Sequence, residues 1–422
     1  MLDTAQELHG TSSLPSPIIN DASLYPLPEI SHQMSKAEFS SLAASRERLL
    51  GISRWKLTVQ NSPEHSLAEG KGMKDPVFMR RPDGHIIGLG TTAWEDVGQI
   101  DIPLYTADSL KGPLTYHGSV LNEFYGKQAP EFCAPGSLVD PESGKIISAV
   151  QRSCFAPGSA IDIIESSKDF TENKQRVIFD QTDSPSKEVI YDPHLGVYFD
   201  EREQKWVRYM TFNKGPFMRK SDVYLATFPE GWFGQVKVQT RPILKEEDIP
   251  LHNRTHVEWN TEGSQLVYFG RQQLSGLAKE TDKEFYTQDD LSPLAVAIGV
   301  LFLEPGALES THEDRTRQRV LMGFSRTVGE SLTMLDLPLL DPATDETDEN
   351  GHPSFVTQNG VPYIDEEGKA FIAYQGRKKN GPWELYMLSL DVRKLVQFGN
   401  ILLQGQNPQI PELQEDLMLA AD

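Results

Sequence analysis

The dipeptide Asp-Pro occurs four times in this 422-residue chain, and two of the copies stand where a carboxylate could do chemistry. Asp140 and Asp341 lie in turn-like stretches, which is the ordinary use of the dipeptide. Asp75 and Asp192, by contrast, are each followed directly by a run of alternating apolar residues, the pattern of a strand. Carboxylates held at strand ends suit general acid–base chemistry, in which one group accepts a proton and another supplies one.

Three histidines, His194, His256 and His352, each lie within two residues of the start of a predicted strand. A neutral imidazole is a good ligand for transition metals. The alternative use of these side chains is hydrogen bonding to a substrate or to the backbone. The sequence leaves both uses open.

Aromatic and cationic side chains complete the set of candidate binding residues. An aromatic ring can support the apolar face of a substrate, with a few polar groups fixing its orientation. The same rings could instead pack between strands. We expect a substrate to contact His194, His256 and these further residues: Trp94, Phe155, Trp259 and Arg271.

The elements that would position these side chains form a repeat. A unit of two apolar runs around a turn, as in the PDG turn at residues 82–84, starts near residues 75, 134, 192, 256 and 352. The starts are separated by 59, 58, 64 and 96 residues. Four short strands per unit of about 60 residues is the pattern of propeller blades. The sequence therefore predicts an all-β, five-bladed β-propeller. Residues 319–337, inside the long last interval, supply either outer strands of the fourth blade or a sixth blade.

The boundaries follow from the repeat. We expect residues 1–52 to form an arm and a helix, residues 53–405 the propeller, and residues 406–422 a tail. The helix is predicted over residues 36–50, because Ser35 and Glu38 match a capping box and Gly51 stands where a helix stop belongs. We expect this helix to pack on the outside of the propeller.

The first unit, DPVFMRRPDGHIIGLG followed by IPLYTADSLKGPLTYHGSVL, resembles the first blade of glycoside hydrolase family 43 and its furanosidase relatives. The resemblance extends over roughly residues 70–400 and implies a five-bladed propeller with three carboxylates at its centre. It assigns Asp75 as general base, Asp192 as the carboxylate that tunes the acid and orients the substrate, and Glu258 as general acid. It also implies a calcium ion or a water cluster on the axis, with His352 nearby.

The chemistry explains why such a set is needed. Glycosidic cleavage passes through an oxocarbenium-like state and requires a protonated acid and an ionised base. In inverting enzymes the two groups lie roughly 6.5–9.5 Å apart, which leaves room for a water. A neighbouring carboxylate raises the pKa of the acid, which keeps its proton near neutral pH.

Composition restricts the partners. The chain has 40 Lys and Arg against 61 Asp and Glu, a net charge of −21, which disfavours nucleic acid and anionic membranes. Cys133 and Cys154 are the only cysteines, so a Cys-based zinc site is excluded. The first ten residues, MLDTAQELHG, show no signal-peptide pattern. We therefore expect a cytoplasmic protein with two reduced thiols and a small-molecule or carbohydrate substrate.

Two further functions remain open. A biosynthetic enzyme could use the same pocket for cyclisation or group transfer on a small molecule. Trp259 favours this alternative, because it follows Glu258 where the family usually has two small residues after its acid. A non-catalytic propeller that binds a protein or a sugar is the third possibility, since a fold does not fix a function.

Overall fold

The computed structural model describes residues 50–60, 73–92, 102–120, 132–152, 160–180, 188–216, 221–249, 260–262, 265–271, 274, 292–303, 319–335, 339, 355–357, 363–364, 368–377 and 383–404. Within these ranges the strands form five sheets, and every strand pairing is antiparallel except the one between β2 (Val59–Gln60) and β6 (Leu114–Ser119). Each sheet is one blade of a propeller, as the repeat predicts.

In blades two and three the strands run outward from the centre in chain order, and in blade one β2 is added outside β6. Blade one contains β3 (Met73–Arg80), β4 (Ile86–Thr92), β5 (Pro103–Ala107), β6 and β2. Blade two contains β7 (Phe132–Val139), β8 (Ile146–Arg152), β9 (Ala160–Ser166) and β10 (Asn173–Asp180). Blade three contains β11 (Glu188–Asp200), β12 (Lys205–Pro216), β13 (Asp222–Thr227) and β14 (Lys237–Val238).

The last two blades are less regular. Blade four contains β15 (Asn260–Glu262), β16 (Gln265–Phe269), β17 (Leu294–Leu303), β18 (Arg319–Ser325) and β19 (Thr333–Met334). Blade five contains β20 (Phe355–Thr357), β21 (Tyr363–Ile364), β22 (Lys369–Arg377), β23 (Trp383–Asp391) and the first strand of the described residues, β1 (Ser53–Lys56). Residues 319–337 therefore provide the outer strands of blade four. The described part of the chain contains no sixth blade.

The hydrophobic core is divided into five clusters, one between each pair of neighbouring blades. The cluster between blades five and one shows that the ring is closed. In it Leu385 and Met387 of β23 lie with Phe78 of β3 and Leu114 of β6. Five blades with five interfaces leave no open edge between the first blade and the last.

Pairing of β1 with β23 joins the two ends of the propeller. Ser53 lies opposite Ser389, and Trp55 lies opposite Met387. The Trp55 indole Nε1–H donates to the Leu110 carbonyl of blade one at 2.9 Å, and the Trp55 ring contacts Phe371 at 6.1 Å between centroids. The N-terminal strand is thus the outermost strand of the last blade.

A helix follows β23 directly, and the sequence does not predict it. Helix α1 (Val392–Leu403) begins at Asp391, whose carboxylate accepts from the N–H groups of Arg393 and Lys394. Its buried face, which includes Leu395 and Val396, belongs to the cluster between blades four and five. The helix predicted over residues 36–50 lies outside the described residues except for Leu50, which is helical and belongs to the same cluster.

Asp140 has the structural role that its turn context predicts. It precedes the β7–β8 turn, is 1% exposed, and accepts from Arg208 Nε and Trp232 Nε1 of blade three, each at 2.8 Å. Burial alone would raise the pKa of Asp140. Hydrogen bonds from Arg208, the Ser143 N–H and Trp232 outweigh burial and lower the pKa to about 2. This carboxylate joins blades two and three.

Two expectations need correction. Cys133 is disulfide-bonded, so the prediction of two reduced thiols is wrong for this residue; Cys154 lies outside the described residues. The segment after His256 does not form a hairpin, because β15 and β16 both pair with β17 as one interrupted inner strand. Helices in the described ranges are all too short or too polar to cross a membrane.

Candidate functional site

The innermost strands of the first three blades share an unusual backbone feature. Asp75, Ala134 and Asp192 have positive φ angles of 52°, 48° and 48°. A proline follows each of them. Each also lies at a shift in the pairing register of its hairpin. The three residues therefore occupy equivalent positions in consecutive blades.

This feature directs a side chain away from the regular alternation of the strand. A bulge re-aims the side chain that it carries, and Pro contributes no N–H to the ladder. Aspartate tolerates the left-handed conformation better than most residues because its short side chain can bond locally. Asp75 and Asp192 are half-buried, while Pro76 and Pro193 behind them are buried. Of the three equivalent positions, two thus present a carboxylate from the inner strand.

Close contacts tie the first three blades together at this level. The Ala134 N–H donates to Thr91 Oγ1 of blade one at 2.8 Å, in a buried bond. On the other side, a Cβ at Gly136 would lie 2.1 Å from the carbonyl oxygen of Pro193 and 2.7 Å from Cα of His194. Only glycine allows β7 to approach β11 this closely. This close approach explains why residue 136, in the segment APGS at residues 134–137, is a glycine.

A buried polar layer lies beside Asp192 on blade three. Leu195 and Phe212 belong to the cluster toward blade two. Since side chains alternate along strands, His194, Thr211 and Asn213 face the other way, toward blade four. His194 is paired in register with Thr211, and all three residues are at most 2% exposed.

His194 is neutral in this layer. Burial lowers the pKa of His194 to about 3, and neither ring nitrogen has a hydrogen-bond partner among the described residues. The ring therefore offers one donor and one acceptor without a charge. Farther along the same blade, the Tyr191 hydroxyl donates to Ser221 Oγ at 2.6 Å, and Asn213 Nδ2 donates to the same oxygen at 3.3 Å.

Blade two carries an ion pair that sequence reasoning missed. Arg152 Nε lies 3.2 Å from Asp162 Oδ2, which also accepts from Gln175 Nε2 at 2.6 Å. The Asp162 side chain is fully buried, and burial raises its pKa although Arg152 opposes the shift. A single charge inside the apolar run AIDII was the available signal. Arg152 and Asp162 end β8 and begin β9, so they share the end of the blade with Ala134.

The remaining candidates are placed as follows. Arg271 follows β16, an inner strand, and lies at the end of blade four where Glu201 of the β11–β12 turn also lies near Gly270. The structure does not bring Arg271 to the end of the blades that carries Asp75 and Asp192. The other predicted site residues lie outside the described residues: Trp94, Phe155, His256, Glu258, Trp259 and His352.

The axial calcium stays a prediction tied to His352. Among the side chains that the structure describes, no group of three or more His, Cys, Asp or Glu is arranged to hold a metal ion.

Comparison with known proteins finds likeness at the level of structure. No protein-family model matches the chain, and no match was found among curated proteins. Similar solved structures include the catalytic domain of a family 62 α-L-arabinofuranosidase from Coprinopsis cinerea, at 10% identity and a TM-score of 0.49, over 80% of this chain and 96% of that one. An endo-arabinase from Bacteroides thetaiotaomicron has 12% identity and a TM-score of 0.47, over 80% and 97%. A family 117 glycoside hydrolase from Zobellia galactanivorans has 11% and 0.47, over 81% and 90%.

Proposed function

We propose that this protein is a glycosidase-like enzyme that acts on a carbohydrate by general acid–base catalysis at the centre of the propeller. The observation that carries the proposal is the equivalent placement of Asp75 and Asp192. Two inner strands present a half-buried carboxylate from the same kind of bulge. A repeated strained position that keeps an acidic residue in two blades of three fits a site better than a turn.

The roles follow from the chemistry of the bond. Asp75, ionised, takes a proton from the water that attacks the anomeric carbon. Glu258, protonated, gives its proton to the leaving oxygen as the glycosidic bond breaks. Asp192 orients the sugar and, by its charge, keeps the proton on Glu258. The buried layer of His194, Thr211 and Asn213 supports β11 behind Asp192 without adding a charge.

The first test removes the base. Asp75→Asn keeps a residue that tolerates the left-handed backbone, so the fold should persist while turnover falls about 100-fold or more. Asp192→Asn should behave similarly. Turnover is measured on aryl arabinofuranosides and xylosides, with folding followed by circular dichroism. Asp83→Asn, on the exposed turn of the same hairpin, is the matched control and should keep full activity. Equal activity of Asp75→Asn and Asp83→Asn would overturn the assignment.

A companion experiment tests the acid role. Glu258→Gln should slow substrates with poor leaving groups far more than activated aryl glycosides, because a good leaving group needs little protonation. If the wild type cleaves no glycoside, the biosynthetic and binding alternatives move ahead.

A further inference from the structure

A second place on the molecule has the shape of a binding site. A cleft of about 650 Å³ lies between blade one and the β9–β10 turn of blade two. This volume is within the range of small-ligand pockets, roughly 300–1,000 Å³. Its lining combines apolar and polar groups, among them Leu104, Thr106, His117, Lys168, Phe170 and Asn173.

The cleft is separate from the proposed catalytic position. Arg81 and Ile87, which also line it, belong to the turn end of the β3–β4 hairpin. Asp75 stands at the other end of β3, six residues from Arg81, or roughly 20 Å along an extended strand. A ligand in the cleft would therefore leave the centre of the propeller free.

Phe170 forms a fixed apolar wall of the cleft. Its φ angle is 60°, which is rare for a bulky residue. The Phe170 N–H donates to the Ser167 carbonyl at 3.0 Å, and Asn173 Nδ2 donates to the Phe170 carbonyl at 3.1 Å. Phe170, Leu104 and Val120 all pack against the cluster between blades one and two. The strained turn thus holds an aromatic side chain at the rim of a cavity.

Of Arg81 and Lys168, the arginine and the lysine that line the cleft, Lys168 is the one that could pair with an anionic ligand. Asp169 Oδ1 accepts from the Ser167 hydroxyl at 2.6 Å and from the Thr171 hydroxyl at 2.8 Å, and these bonds within its own turn lower the pKa of Asp169 to about 2. Arg81 is paired with Asp83. Lys168 has no ion pair among the described residues, and it is exposed.

Further hydrogen-bonding groups face the same space. Thr106 Oγ1 and His117 Nε2 are 2.6 Å apart across β5 and β6, and both line the cleft with Asn173. Such groups match sugar hydroxyls, while an apolar wall matches the face of a sugar ring.

We propose that this cleft binds an acidic sugar unit, a hexuronate, with the ring against Phe170 and Leu104 and the carboxylate at Lys168. The choice of a carbohydrate rests on the proposed function; the choice of an anionic one rests on Lys168. The site is an accessory one that holds a chain of substrate at a distance from the centre.

The experiment is calorimetric titration of the whole protein with digalacturonate and, in parallel, with cellobiose as a neutral disaccharide. Digalacturonate should bind more tightly. Lys168→Gln should weaken its binding about two- to fivefold, as for an exposed charge pair. Phe170→Asn, which suits the left-handed backbone but removes the ring, should also weaken it. Lys237→Gln, at an exposed position on the outer strand of blade three, is the matched control and should change nothing.

Three results would overturn the proposal: no binding at millimolar digalacturonate, equal affinity for cellobiose, or equal losses in Lys168→Gln and Lys237→Gln. Asp75→Asn separates this proposal from the previous one. If binding survives that substitution while the wild type cleaves no glycoside, the accessory site stands and the proposed function fails. If the substitution abolishes binding, the digalacturonate binds at the centre and the accessory site is wrong.

Discussion

Ala134 shows that the backbone bulge and the carboxylate are separable. It adopts the same left-handed conformation as Asp75 and Asp192, without an acidic side chain and without the local bonding that eases this conformation for aspartate. Its N–H bond to Thr91 compensates for the strain. The bulge is therefore a property of the inner strands of the first three blades, and blades one and three use it to present an acid.

The burial of His194 should make stability depend on pH. The pKa of His194 is about 3 in the folded protein and about 6.5 in the unfolded chain, so only the unfolded chain takes up the proton between these values. This contribution to stability is complete above about pH 6.5 and is lost as the pH falls. Between pH 6 and pH 4 we expect a loss of about 2–3 kcal/mol that is absent from His194→Gln. Urea unfolding at the two pH values measures it.

The control for this experiment is His85→Gln, because the His85 side chain is 57% exposed at a turn. That variant should keep the pH dependence of the wild type. If His194→Gln keeps it as well, His194 is not the buried neutral group that the structure shows.

At this scale the sequence predicts positions better than environments. Asp75 and Asp192 were separable from Asp140 because alternating strands follow them, and Asp140 does have a turn role. The left-handed backbone of Ala134 was not predictable, since Ala-Pro carries no such preference. The burial of Asp162 depends on neighbours in three strands, which no local window contains.

Among the elements, β7 and β11 can lie close together because Gly136 has no side chain. Gly136 faces the backbone of Pro193 and His194, which cannot move aside as a flexible side chain would. Gly136 thus sets the distance between β7, which carries Ala134, and β11, which carries Asp192.

Gly136→Ala should therefore destabilise the protein by about 3 kcal/mol and lower turnover, because β11 must move at the residue next to Asp192. Chemical unfolding and activity measure the two effects. Gly112→Ala is the matched control: at this turn the added Cβ would lie 3.2 Å from Ser109 Oγ and 3.5 Å from the Ser109 carbonyl oxygen, so the substitution should cost less than about 1 kcal/mol. Equal behaviour of the two variants would show that β7 and β11 have room to separate.

The elements also mark where prediction from sequence stops. Hairpins with turn signals, such as PDG between β3 and β4, were predictable because the turn residues are local. Helix α1 was not, because it follows β23 with no break other than Asp391, a residue equally at home in a turn. The interrupted inner strand of blade four resembles a hairpin in sequence, and only its pairing with β17 distinguishes the two.

For the whole molecule, stability rests on five similar interfaces, and the interface between blades five and one is the one that closes the ring. Trp55 contributes to both sides of it, through its bond to Leu110 and its contact with Phe371. The number of blades was predictable from the repeat. The pairing of β1 with β23 was not, since it joins residues more than 300 positions apart.

Trp55→Ala should cost about 3 kcal/mol and accelerate unfolding, because it weakens the closure of the ring. Stopped-flow unfolding in urea measures the rate, and equilibrium unfolding the free energy. Trp206→Ala removes the same side chain from the β11–β12 hairpin, where Trp206 contacts Phe199, and should cost less. A larger loss for Trp206→Ala would mean that closure is not the weak point of the ring.

The pairing of β1 with β23 also sets the order of events on the ribosome. Strand β1 leaves the exit tunnel before its partner, which follows more than 300 residues later. At roughly 5–20 residues per second, that interval lasts about 15 to 60 seconds. During this interval Phe78 and Leu114 are not yet covered by Leu385 and Met387. The nascent chain therefore carries an uncovered apolar surface and an unpaired strand until β23 has been synthesised, which makes the unfinished protein a natural client for chaperones.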